Sequence, residues 1–150
     1  MDFSLLRKQL AALTEDCPFL ISNLSNTAAL LRQSLPGINW VGFYMCKDEE
    51  LILGPFQGKP ACTRIPVGKG VCGTAVRENQ MQRVADVHAF PGHIACDSDS
   101  RSEIVIPLYA EGKIWGVLDI DSPVPDRFTE SDGQGLKMVA IEIEKFLSRK

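Results

Sequence analysis

The N-terminal quarter of the chain contains two stretches in which apolar side chains recur at helical spacing. The first covers residues 3–13 and carries Phe3, Leu6, Leu10 and Leu13. The second opens after Pro18, which suits a first helical turn because that position needs no N–H donor, and Pro36 with Gly37 ends it. Its apolar positions are Phe19, Leu20, Leu24, Ala28, Leu31 and Leu35. The spacing predicts two helices.

The period then changes to that of extended strands. Residues 38–45 and 51–56 are rich in aromatic and β-branched side chains, and the charged residues 47–50 between them indicate a β-hairpin. Residues 58–73 hold four glycines and two prolines, which predicts a loop. Residues 74–79 can form a short helix, and strand character returns at 82–87. Residues 86–100 show no apolar period and predict a long loop, a kind of segment that usually serves function.

Two strands and a helix complete the pattern. Residues 103–110 and 113–122 are the clearest strands, and Glu111 with Gly112 joins them in a tight hairpin. Thr129 is a good helix N-cap, with Asp132 three residues later. The last helix has an apolar stripe of Leu136, Val139, Ala140, Ile143 and Leu147. This order of elements predicts an α+β fold, with a central antiparallel sheet flanked by helices.

Length, composition and charge narrow the class of protein. A chain of 150 residues with 45% apolar residues fits one globular domain. The formal net charge of −3 gives no electrostatic basis for binding nucleic acid or an anionic membrane. We find no apolar run near the ~20 residues of a membrane span and no signal peptide, so we expect a cytoplasmic protein.

Five cysteines are the first candidates for chemistry. Their odd number argues against a disulfide framework, and Cys62, Cys72 and Cys96 fall in loop sequence, where reactive thiols are expected. An ordinary thiol is only about 3% ionised at neutral pH, so a nucleophilic cysteine needs groups that stabilise its anion. His88, His93 and Arg101 lie near Cys96 in the sequence. A zinc site of Cys62, Cys72, His93 and Cys96 is the alternative, but its ligand spacing is unusual.

Three carboxylates form a second candidate group. Asp119 and Asp121 share one face of their strand, and Glu103 begins the partner strand, with its pairing residue expected near position 120. Carboxylates placed together raise at least one pKa, and a protonated carboxyl group can donate a proton near neutral pH. The alternative is a strand end exposed to solvent.

Two aromatic residues form a third candidate group. Trp40 and Tyr44 share a strand face with Gly42, which leaves a gap between them that can serve as a ligand pocket. Ordinary core packing of the two rings is the alternative.

Together these motifs resemble the free methionine-(R)-sulfoxide reductases, a branch of the GAF domain fold, over almost the whole chain. The motifs that carry the resemblance are NWVGFY, GKPACTRIPVGKGVCG, FPGHIACDSDSRSEIVIP and GVLDIDSP. The resemblance implies one GAF domain over residues 1–150. It also implies a six-stranded antiparallel sheet with helices on both faces and a small pocket capped by the cysteine-bearing loop.

The resemblance also implies a mechanism and a set of site residues. Cys96 would attack the sulfoxide sulfur and become a sulfenic acid, Cys62 would resolve it as a disulfide, and Cys72 would assist. Thioredoxin with NADPH would supply reducing equivalents, with no bound cofactor and no metal. Glu103, Asp119 and Asp121 would divide two tasks, binding the substrate ammonium and protonating its oxygen. Trp40 and Tyr44 would enclose the S-methyl group. Backbone N–H groups of Ile94, Ala95 and Cys96 would receive the carboxylate.

Other functions stay open at this stage. One is a GAF module that binds a small ligand as a sensor and catalyses nothing, and another is a zinc-binding or redox-sensing protein without a substrate. The resemblance leaves both a homodimer and the identity of the proton donor undecided.

Overall fold

Four α-helices and six β-strands make up the part of the chain that the computed structural model describes, residues 1–93 and 98–149. The helices are α1 (Phe3–Thr14), α2 (Leu20–Ser34), α3 (Gly70–Glu78) and α4 (Glu130–Leu147). The strands are β1 (Trp40–Lys47), β2 (Glu50–Gln57), β3 (Arg64–Pro66), β4 (Gln82–Val84), β5 (Ser102–Ala110) and β6 (Lys113–Ser122). A 3₁₀ turn, Val87–Ala89, lies between β4 and β5.

The strands form one antiparallel sheet in the order β3-β2-β1-β6-β5-β4. Both predicted hairpins are confirmed. Asp48 and Glu49 take positive φ between β1 and β2, and Glu111 and Gly112 do so between β5 and β6. Such tight turns match the twist of the strands that they connect. The fold is therefore α+β with an antiparallel sheet, as the sequence predicted, and the sheet has the six strands that the resemblance implied.

One face of the sheet carries the larger apolar core. Alternate residues of the central strands, such as Phe43, Ile104 and Leu118, are fully buried there among the residues of α1, α2 and α4. Full burial of one such side chain stabilises the fold by about 1.5–3 kcal/mol. The other face packs against α3 in a smaller cluster that includes Val71, Cys72 and Ala75.

The predicted helices agree with the structure except in detail. The Thr129 side chain accepts a hydrogen bond from the backbone of Asp132, whose carboxylate accepts one from the backbone of Thr129, so the expected cap is confirmed. Leu13, expected on the apolar stripe of α1, is instead 44% exposed. Thr14 is buried in its place, because its hydroxyl donates to the Leu10 carbonyl oxygen at 2.9 Å and needs no water. Phe19 and Leu20, expected on the apolar stripe of α2, are also exposed, and Phe19 precedes the helix as its N-cap.

Residues 58–73 were expected to form a loop throughout, and this prediction is wrong at two places. Strand β3 forms there because it has a partner to pair with: Leu51 lies opposite Ile65. Helix α3 starts at Gly70, so Cys72 lies on a helix and not in a loop. The start is tightly packed, since a Cβ on Gly73 would lie 2.7 Å from the Pro66 carbonyl oxygen. No helix in the described ranges is long and apolar enough to cross a bilayer.

Candidate active site

Strand pairing brings the three acidic residues to one place on the α3 face. Glu103 of β5 lies opposite Asp121 of β6, and Val105 lies opposite Asp119. Because side chains alternate along a strand, all of these residues share one face. Glu103 and Asp119 are buried and Asp121 is half-buried, so the group is not a strand end exposed to solvent.

A cavity of about 50 Å³ lies over these carboxyl groups. Seven residues singled out from the sequence line it, namely Trp40, Tyr44, Cys72, His93, Glu103, Asp119 and Asp121. The remaining described lining comes from β3, α3 and the loops: Pro60, Ala61, Ile65, Lys69, Gly70, Val71 and Ser100. A thiol, three carboxyl groups and two aromatic rings therefore face a common space.

Burial determines the charge state of the carboxyl groups. The pKa of Glu103 is raised well above its usual value, first by burial and then by the charges of Asp119 and Asp121. The pKa of Asp119 is also raised by burial, and hydrogen bonding to Glu103, Cys72 and Asp121 offsets part of that rise. Within the described chain, Asp119 Oδ1 is buried without a hydrogen-bond partner. Glu103 is thus suited to hold a proton that it can donate.

Cys72 projects from α3 toward the same carboxyl groups. Its Sγ lies 4.0 Å from Glu103 Oε2. Burial first, and then the charges of Asp119 and Glu103, raise the pKa of this thiol well above its ordinary value. Cys72 therefore stays a neutral thiol under conditions in which a nucleophile must ionise.

The aromatic residues form a continuous stack beside the cavity. The Trp40 ring stacks on Tyr44 with centroids 6.1 Å apart and on Phe56 with centroids 5.2 Å apart. The gap expected at Gly42 does not exist, because a Cβ there would lie 2.3 Å from the Phe56 Cβ atom. Phe56 from the paired strand fills that position. The cavity is bounded by the rings, α3 and the carboxyl groups instead.

The loop of residues 58–63, called here the Cys62 loop, covers this aromatic stack. Trp40 Nε1 donates to the Lys59 carbonyl oxygen at 3.0 Å, and Tyr44 Oη donates to the Cys62 carbonyl oxygen at 2.9 Å. Cys62 is disulfide-bonded, whereas Cys17, Cys46 and Cys72 are free thiols. The expected site residues Ile94, Ala95 and Cys96 lie outside the described residues.

Comparison with known proteins places the chain in a family. The family model described as GAF domain matches residues 20–147. The chain belongs to the GAF domain family. Protein YtsP of Bacillus subtilis is 57% identical over 150 residues, which cover 99% of this chain and 92% of that protein. The free methionine-R-sulfoxide reductase of Escherichia coli is 59% identical over 128 residues, which cover 85% of this chain and 78% of that protein.

A solved structure agrees with the GAF fold over nearly all of the chain. The structure of fRMsr of Staphylococcus aureus in complex with substrate is 56% identical to this chain and superposes with a TM-score of 0.93. The match covers 98% of this chain and 96% of the other. The GAF fold that the resemblance implied is confirmed.

Two polar residues of this GAF domain pocket, Lys69 and Ser100, were not singled out from the sequence. A third, His93, was considered only as a neighbour of Cys96 and as a zinc ligand, and it also lines the cavity. Burial, and then the charge of His88, lower the pKa of His93, which favours the neutral ring. The sequence signal for Lys69 and Ser100 was only their place in polar or Gly-rich segments near cysteines, and that signal does not tell which loop residues face inward.

A metal could be held at the same place in the GAF domain. One ligand atom each from Cys72, Glu103 and Asp119 lies within 4.8 Å of the others. Binding would require loss of protons from groups whose pKa is raised, which weakens affinity near neutral pH. The zinc set considered from the sequence fits less well, because the disulfide-bonded Cys62 offers no thiolate.

Proposed function

We propose that this protein reduces the free amino acid methionine-(R)-sulfoxide to methionine by thiol chemistry. The observation that carries the proposal is the buried carboxyl group of Glu103, whose pKa is raised by that burial and which faces a cavity walled by Trp40 and Tyr44. The name of the Escherichia coli relative and the substrate complex of the Staphylococcus aureus protein support the same activity.

The acid is needed because sulfoxide oxygen leaves poorly unless it is protonated. In the proposed first step, Cys96 sulfur attacks the sulfoxide sulfur while a carboxyl group protonates the oxygen. The sulfur–oxygen bond of the substrate breaks, methionine leaves, and the oxygen stays on Cys96 as a sulfenic acid. Cys96 is thereby oxidised and the substrate reduced. Glu103 is our first candidate for the proton donor because its burial favours the neutral acid.

Recognition of the free amino acid follows from the charges around the cavity. Asp119 or Asp121 pairs with the substrate ammonium, backbone N–H groups of Ile94, Ala95 and Cys96 receive its carboxylate, and the Trp40 and Tyr44 rings enclose the S-methyl group. Methionine sulfoxide within a peptide has neither free charge, so binding it would leave buried groups unpaired.

A second thiol completes the cycle. Cys62 condenses with the Cys96 sulfenic acid, the new disulfide forms, and the oxygen leaves as water. This pairing is supported by a disulfide-bonded Cys62 and by free thiols at Cys17, Cys46 and Cys72. Cys72 assists as a neutral thiol beside the carboxyl groups. Thioredoxin then reduces the disulfide by exchange, in the cytoplasm and without a bound cofactor. A homodimer is compatible with this scheme but not required by it.

A coupled assay tests the proposal. Purified protein with thioredoxin, thioredoxin reductase and NADPH is expected to oxidise NADPH when free methionine-(R)-sulfoxide is added. Cys96→Ser is expected to abolish this, whereas Cys17→Ser, which changes a free thiol far along the chain from the cavity residues, keeps it. NADPH oxidation that survives Cys96→Ser would exclude Cys96 as nucleophile. Substrate binding without any turnover would favour the sensor alternative, and tightly bound zinc would favour the metal-binding one.

A further inference from the structure

The two aromatic residues of the cavity wall also form hydrogen bonds through their polar groups. The Tyr44 hydroxyl donates to the carbonyl oxygen of Cys62, and the Trp40 indole N–H donates to that of Lys59. Tyr44 is only 2% exposed, and Trp40 is 3% exposed. These bonds join the wall of the cavity to the backbone of the Cys62 loop at two points, Lys59 and Cys62.

Both donors are buried side chains, whereas the acceptor carbonyl groups belong to the half-buried Cys62 and the exposed Lys59. Burial, and then the charge of Asp119, raise the pKa of Tyr44, so its hydroxyl keeps the proton that it donates. A hydrogen bond of this kind contributes about 0.5–1.5 kcal/mol, so the loop is held less firmly if the hydroxyl is removed. The contact is also close at the start of the loop, since a Cβ on Gly58 would lie 2.5 Å from Trp40 Cδ1.

Two further contacts fix the Cys62 loop relative to its surroundings. The Leu53 N–H donates to the Thr63 carbonyl oxygen at 3.0 Å, directly after Cys62. Lys59 Nζ forms an ion pair with Asp99 Oδ2 at 2.6 Å, and Asp99 follows Cys96 by three positions in the sequence. The ion pair is exposed, so its contribution is small, about 0–1 kcal/mol. The part-buried hydrogen bonds from Tyr44 and Trp40 therefore contribute more than the ion pair.

We infer that Tyr44 and Trp40 are positioning residues for disulfide formation, because they hold the Cys62 loop where the Cys62 thiol can reach the sulfenic acid on Cys96. This inference rests on the proposed function. In the step concerned, the Cys62–Cys96 sulfur–sulfur bond forms and the sulfur–oxygen bond of the sulfenic acid breaks. The thiol proton leaves with the hydroxyl group as water, and Cys62 is oxidised as Cys96 is reduced. The aromatic wall thus acts in two successive steps.

Single-turnover kinetics with Tyr44→Phe test the inference. This variant keeps the ring and removes only the hydroxyl. Reduced protein is mixed with free methionine-(R)-sulfoxide without a reductant, and two quantities are followed in quenched samples: methionine released, and the sulfenic acid trapped by dimedone. We expect disulfide formation to slow about tenfold, the equivalent of one lost hydrogen bond, and the trapped sulfenic acid to accumulate. Methionine release is expected to fall less, so the ratio of the two rates changes.

A matched control and a second variant keep the test decisive. Tyr109→Phe also removes a bonded hydroxyl, one that contacts Asn79 outside the cavity lining, and it is expected to leave the rate ratio unchanged. Trp40→Phe removes the indole N–H and is expected to change the ratio in the same direction as Tyr44→Phe. It also replaces Tyr44→Phe if thermal unfolding shows that Tyr44→Phe is not folded.

The outcomes separate this inference from the proposed function. If both steps slow by the same factor in Tyr44→Phe and Trp40→Phe, or if neither slows, the positioning role is wrong while the activity stands. In a Cys62→Ser background, Tyr44→Phe is expected to add nothing to the lifetime of the sulfenic acid, and a further increase would also overturn the role. If wild-type protein releases no methionine at all, the proposed function itself fails.

Discussion

The two faces of the sheet are built from alternate residues of the same strands, yet their chemistry is opposite. Ile104 and Ile120 point into the larger core, whereas their sequence neighbours Glu103, Asp119 and Asp121 lie on the α3 face. On the first face, burial of apolar side chains lowers the free energy of the folded chain. On the second, burial of carboxyl groups costs free energy, and this cost is expressed in the raised pKa of Glu103.

This difference shows that packing and chemically reactive groups can occupy opposite faces of the same strands. A strand offers two independent surfaces because its side chains alternate. One surface can therefore be optimised for packing while the other holds groups with shifted pKa values. The larger core lies on the first face, whereas the α3 face combines a smaller apolar cluster with the buried carboxyl groups.

The largest effect on this comparison is expected from Glu103→Gln, which keeps the shape of the side chain and removes its acidic proton. Turnover in the NADPH-coupled assay is expected to fall by about 10²- to 10⁴-fold, the usual contribution of a general acid. In wild-type protein the rate of methionine release is expected to fall as pH rises through the pKa of Glu103, because only the protonated form donates. A greater loss in Asp119→Asn than in Glu103→Gln would assign proton donation to Asp119.

The next largest effect is expected on stability, from a substitution on the face that carries the larger apolar core. Leu118 is fully buried between β1 and β5, so Leu118→Ala is expected to lower the free energy of unfolding by about 2–5 kcal/mol. Leu13→Ala provides the control, since Leu13 is 44% exposed and its replacement is expected to change stability by less than about 0.5 kcal/mol. Urea unfolding measures both variants. Equal effects at the two positions would contradict the assignment of the core to this face.

The smallest expected effect is a rise in the free energy of unfolding when Glu103 is replaced by glutamine. Because the pKa of Glu103 is raised in the folded state, the folded chain retains a proton that the unfolded chain releases near pH 4.3, the approximate value for an unperturbed glutamate. Stability is therefore lost as pH rises from there toward the folded-state pKa. Glu103→Gln removes this dependence and is expected to raise the free energy of unfolding at pH 7 by an amount on the order of 1 kcal/mol. Unfolding curves for both proteins at several pH values decide the point, and a variant less stable than wild type at pH 7 would refute it.

The elements predicted from sequence were those with a local signal. The hairpin at Glu111 and Gly112 and the cap at Thr129 depend on residues a few positions apart, and both are present. Strand β3 and the start of α3 depend on distant partners: Ile65 pairs with Leu51, and Gly73 packs on Pro66. In a segment rich in glycine and proline, no periodic pattern reveals such contacts.

The site, too, could be predicted only where it depends on a local pattern. Strand alternation and the hairpin register were enough to bring Glu103 and Asp121 together. The filling of the space at Gly42 by Phe56 was not predictable, because it depends on how β1 and β2 are paired. The bond from Tyr44 to the Cys62 carbonyl is equally invisible in the sequence, since it joins a strand to a loop without a periodic pattern.

The ion pair between Lys59 and Asp99 makes the attachment of the Cys62 loop partly dependent on dissolved salt. Both side chains are more than 60% exposed, and dissolved ions compete with such a pair over a screening length of about 8 Å at physiological ionic strength. The hydrogen bonds from the buried Trp40 and Tyr44 side chains are screened much less. Ionic strength therefore loosens the link to Asp99 before it affects the links to the aromatic stack.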